Sequence, residues 1–159
     1  MEKEQFKEHL VAAACDALAQ SPEKLRRAAE EFALLQAQPH YLRVSYELIA
    51  SHPNQTVCLA LAIQARRFAV ARLDTLSPDE RAVVDDETYP LSLTVRSEPV
   101  FRQLLTIEEA SLLRGVRQAP LDIVVTSLSS GNLPALRCLA HFFHALQYRP
   151  TSLEPSLPG

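Results

Sequence analysis

The chain has 159 residues, enough for one domain or one stretch of a repeat array. Lys plus Arg number 16 and Asp plus Glu 19, and the net charge of -3 gives no broad field to hold nucleic acid or anionic lipid. Three Gly are too few for a phosphate-cradling loop or many hairpin turns, and three Cys at distant positions fit a reducing compartment better than a disulfide framework.

No apolar run reaches the roughly 18 residues a membrane span needs, and the charged start MEKEQFKEH does not read as a signal peptide. The expectation is a soluble intracellular chain.

Apolar positions recur at helical spacing almost throughout, which predicts an all-α fold. Phe6, Leu10, Ala14 and Leu18 line one face of a first helix; Leu25, Ala28, Phe32 and Leu35 line a second. Between them, Ser21 can cap free N–H groups, and Pro22 at the first helical position lacks only an N–H that would be unpaired anyway. Pro39 stops the second helix, and a third carries Leu42, Tyr46 and Ile49 as far as His52-Pro53. The fourth starts near Asn54 and is apolar nearly all round in its first half, so neighbours must cover more than one of its sides.

Ser77-Pro78-Asp79-Glu80 reads as a capping box, with Ser77 at the N-cap, Pro78 at N1 and Glu80 reaching back. Pro90 is expected to kink or split the helix that follows, near Tyr89. Ser97 is expected to cap the next, with Val100, Leu104 and Ile107 on one face and Gly115 just past its end. Leu121, Val124, Val125 and Leu128 predict a short helix after Pro120. Beyond Ser130-Gly131-Asn132, Leu136, Leu139, Phe143 and Leu146 predict a last one. The tail PTSLEPSLPG should be loose.

About eight helices in pairs follow. The second helix of each pair starts near Ser21, Asn54, Ser97 and Asn132, an uneven spacing suited to HEAT-type helical repeats stacked as a solenoid. A compact helical bundle is the alternative.

The stretch SPEKLRRAAEEFALLQAQPHYLRVSYELIASHPNQTVCLALAIQARRF resembles the N-terminal region of the importin-β superfamily, the nuclear transport receptors. The residues that carry the likeness are Arg27, Ala29 and Glu30, Leu34 or Leu35, Pro39, Tyr41, Leu48, Ile49, and Ala62 through Arg67. LSPDER is similar to the opening of the family's third repeat, SEPVFRQLL to that repeat's second helix, and APLDIVVTSLSSGNLPALRCLAHFFHALQY to the fourth repeat. The chain departs from the family pattern at Ala65-Arg66-Arg67 and at Ala119-Pro120, and it has no Trp.

The resemblance implies importin-β-like repeats over residues 1–149, followed by a Pro-rich flexible tail over 150–159. It further implies binding of a Ran-type small GTPase in its GTP form, with cargo proteins and nuclear pore proteins as other partners. The setting would be nucleocytoplasmic transport, in nucleus and cytoplasm. No cofactor, metal, nucleic acid or membrane is implied. The second helix of each pair would present the contact strip, so Gln64, Arg66 and Arg67 are the first candidates for partner binding, with Arg27 and Glu30 beside them. Arg suits such a strip because its planar fork pairs bidentately with carboxylates. The plainer alternative is that Arg66 and Arg67 are solvated or bridge to a neighbouring repeat. Arg27 and Glu30, at i, i+3, are expected to pair with each other in a structural role. The alternative function is a helical-repeat interaction scaffold that binds no GTPase.

Catalytic patterns are thin. Cys138, His141 and His144 follow i, i+3, i+6 but lack a fourth metal ligand at suitable spacing, so ordinary packing is expected. Asp85-Asp86-Glu87 and Glu108-Glu109 read as solvated helix-end charges. No Ser has a G-x-S-x-G setting, and an enzyme is not expected.

Overall fold

A computed structural model of the chain describes residues 2–113; the side chains of 112 and 113 are outside the description. Residues 2–111 belong to one compact unit. The expected helices after Pro120, the Cys138, His141 and His144 group, Gly115 and the tail lie outside the described residues.

Six helices follow in order: α1 (Lys3–Leu18), α2 (Pro22–Gln36), α3 (Tyr41–Ser51), α4 (Gln55–Ala71), α5 (Pro78–Thr94) and α6 (Glu98–Leu113). The described residues form no strand, so the all-α expectation holds for them. α1 packs on α2 and α3 on α4; α1 also touches α3 and α4, and α3 touches α5. One apolar core runs through all of these, from Phe6 and Leu10 in α1 to Val100, Leu104 and Ile107 in α6.

Local chemistry sets the helix starts. Ser21 Oγ accepts from Lys24 N at 3.4 Å, with Pro22 opening α2. Asn54 Oδ1 accepts from Thr56 N at 2.9 Å and Val57 N at 3.3 Å, satisfying two of the four orphan donors of α4. Ser77 Oγ accepts from Glu80 N at 3.2 Å. Only this half of the capping box forms; the Glu80 side chain borders a small hollow with His40, Arg43, Asp79 and Val83. His40 leads into α3 with φ 68, in the left-handed region that His tolerates better than most residues.

Two expectations need correction. Of the kink or split expected at Pro90, the split does not occur, because α5 continues to Thr94. Pro90 and Asp86, whose carbonyl loses its helical donor to the ring, both lie on the exposed side, where water can replace the missing bond. The acidic residues are also not simple helix-end charges. Glu87 pairs with Arg43 at 3.2 Å, Asp85 is half-buried within α5, and Glu108 is fully buried within α6.

α4 is the central helix, as its all-round apolar character requires. Val57, Cys58, Ala60, Leu61, Ala62, Ala65, Phe68 and Ala69 are all buried. Phe68 meets Tyr41 edge to face with centroids 4.9 Å apart, and the Arg72 guanidinium lies 4.6 Å over the Phe68 ring. The Cys58 thiol donates to the His52 carbonyl at 3.4 Å, close to the end of α3, and burial pushes its pKa up. It is a structural thiol rather than a nucleophile.

Candidate functional site: the α1–α2–α4 groove

Not every position on the predicted apolar faces is covered. Leu18 and Leu25, expected in the core, are 42% and 45% exposed. They border a groove of ≈ 330 Å³ together with Ala17 of α1, Ala28 and Ala29 of α2, and Leu59, Ala60, Ile63, Gln64 and Arg67 of α4. The hollow exists because alanines occupy its floor: Ala28 and Ala60 are buried, and their short side chains keep the floor below the larger residues around it.

The helical period of α4 explains which candidate residues reach this groove. Residues 60, 63, 64 and 67 recur at three- and four-residue steps and share a face. Gln64 and Arg67 therefore line the groove, half-buried and exposed respectively. Arg66 lies about 100° further round the helix and does not line it. It is half-buried, and its Nε has no hydrogen-bond partner among the described residues. Neither Arg66 nor Arg67 forms an ion pair among the described residues, so neither bridges to another described helix through one.

Arg27 and Glu30 sit on the exposed part of α2 away from the groove, and the expected pair between them is replaced by two others. Arg27 meets Glu23 at 3.7 Å and Glu30 meets Arg26 at 3.2 Å. Both are i, i+4 pairs, and they engage both partners of the expected i, i+3 pair.

A second cleft of ≈ 410 Å³ is bordered by Lys3, Phe6, Gln38, Pro39, His40, Arg43 and Val44. It is basic, but two of its cations already have partners. Lys3 binds Glu47 at 2.9 Å and Arg43 binds Glu87 at 3.2 Å. The hydrogen bond from Lys3 holds the Glu47 carboxyl below its usual pKa, and Lys7 at 3.4 Å acts in the same direction. Burial raises the Tyr41 hydroxyl to about 12 and pushes that of Tyr46 higher still, so both remain neutral.

The described residues contain no group of three or more His, Cys, Asp or Glu placed to hold a metal ion, and no helix long and apolar enough to cross a membrane. Sequence reasoning placed Gln64 and Arg67 together but missed Leu18, Leu25 and Ala29 as groove residues. Their helical spacing is the same as that of a buried face, so no local signal separated them from the core.

No protein family, curated protein or solved structure matches the chain in comparisons with known proteins.

Proposed function

We propose that the chain is a HEAT-type repeat module related to the nuclear transport receptors, binding a Ran-type small GTPase in its GTP form through α2 and α4. Cargo proteins would be its further partners, with the chain working between nucleus and cytoplasm. The observation that carries the reading is the shared groove: α2 and α4, the second helices of the first two pairs, border one depression with Gln64 and Arg67 on it. The first helices support a repeating arrangement as well. α1, α3 and α5 start at near-equal intervals, at Lys3, Tyr41 and Pro78. The hydrogen bonds Lys3–Glu47 and Arg43–Glu87 join consecutive members of that series at the same sequence offset of 44 residues.

Titration of the purified chain against Ran loaded with a non-hydrolysable GTP analogue, and separately with GDP, tests the reading. Preference for the GTP form, weakened by Gln64→Ala and by Arg67→Glu, is the expected result. A folded, monomeric chain that binds neither form would leave the second reading, an interaction scaffold without a GTPase partner. The apolar lining of the groove and the position of Arg66 outside it favour that alternative.

A further inference from the structure

The groove between α1, α2 and α4 differs from the other clefts in its chemistry. Eight of its ten lining residues are alanine, leucine or isoleucine, no carboxylate borders it, and its one charged residue is Arg67. Arg67 is exposed and forms no ion pair among the described residues. The cations of the larger cleft, by contrast, are engaged by Glu47 and Glu87. An acidic ligand there would have to compete with those carboxylates, whereas at Arg67 it would not.

We propose that this groove docks a short helical segment of a partner protein, with aliphatic side chains on one face and a carboxylate one turn beyond them. The length follows from α4. Leu59 to Arg67 spans roughly 12 Å at the helical rise, so the matching face is about two turns long. The volume of ≈ 330 Å³ takes a few side chains rather than a whole helix, so the occupant lies on Leu18, Leu25 and Ile63 and sends its aliphatic anchors down to the alanine floor. The polarity follows from Arg67, which borders the groove at the C-terminal end of its α4 stretch and sets the carboxylate at that end. A helix is the fitting conformation because the described residues offer no strand edge to extend, whereas a depression between helices accepts anchors at i and i+4. The proposal uses the same groove as the GTPase reading, Arg67 included, but does not depend on it.

The test is selection from a displayed library of randomised, stapled helical peptides against the full chain, followed by anisotropy titration of the enriched peptides. Two groove variants, Ala29→Phe and Leu25→Glu, change exposed positions, and circular dichroism and thermal melting verify that they stay folded. Enrichment of two aliphatic residues four apart with Asp or Glu one turn beyond is expected. Affinity should fall at least about tenfold on either variant, a difference the titration resolves readily. On Arg67→Glu, the same peptides should weaken, and their Lys-substituted counterparts should bind better than the originals. Enrichment that ignores the acidic position, or binding unchanged on the folded Ala29→Phe chain, overturns the proposal. So does a selection that enriches nothing over that variant. Because the Ran titration uses no peptide, either idea can fail while the other stands.

Discussion

Along α1, α3 and α5, charges at the helix contacts find partners on the next helix: Lys3 and Lys7 reach Glu47, and Arg43 reaches Glu87. Tyr46 and Thr88 join the same helices by a buried hydroxyl pair at 2.7 Å. Around the groove that α1, α2 and α4 line the opposite holds, with Leu18 and Leu25 partly open to water and Arg67 without an ion-pair partner among the described residues. The exposed ion pairs contribute little energy each, about 0–1 kcal/mol, beside the apolar core that these helices share. The charges at the first region's helix contacts are paired within the described residues, whereas the groove has apolar surface and a cation without an ion-pair partner among them. Stability should therefore depend on the buried faces of the helices, and binding on the groove.

The sharpest way to break that division is a pair of leucine truncations. Leu42→Ala, at a fully buried position in α3, is expected to cost about 2–5 kcal/mol in urea denaturation. Leu25→Ala, in the groove, should cost less than about 1 kcal/mol, since its side chain already meets water. Equal losses would mean that the groove is part of the structural core.

Tyr46→Phe should cost about 1–3 kcal/mol by leaving the Thr88 hydroxyl buried without its partner. Adding Thr88→Val to that variant should recover part of the loss, and no recovery would detach the hydroxyl pair from the α3–α5 contact. Asn54→Ala removes the cap of α4, which packs against α1 and α3 and also lines the groove, and should lower thermal stability by about 0.5–2 kcal/mol.

The smallest effect concerns acid. Lys3 and Lys7 lower the Glu47 carboxyl, so their contribution is fully present above the unfolded carboxylate pKa and fades as pH falls through the folded value. Glu47→Gln should cost less than about 1 kcal/mol at neutral pH and flatten the acid side of the stability profile, with the difference shrinking at high salt. A variant with an unchanged acid profile would show that this tie contributes nothing to the first region.

The helix boundaries were legible in the amino acids because their causes are local. Ser21-Pro22, Asn54 and Ser77-Pro78 bring their own acceptors and φ constraints, and each starts a helix where expected. The side of each helix that faces inward was legible too, through Phe6, Leu10, Phe32, Leu42 and Ile49. What periodicity leaves open is how far along its length a face stays covered. Leu18 and Leu25 continue the buried pattern, but Ala17, Ala28, Ala29 and Ala60 fill too little space to close over them. The choice between i, i+3 and i, i+4 partners for Arg27 and Glu30, and the use of Glu87 by Arg43 across 44 residues, likewise depended on where whole helices came to rest. Local hydrogen bonds and dihedral limits thus determined the helices from the sequence, while volume filling and charge pairing between helices, which depend on residues far apart in the chain, left the groove open and Arg67 facing it.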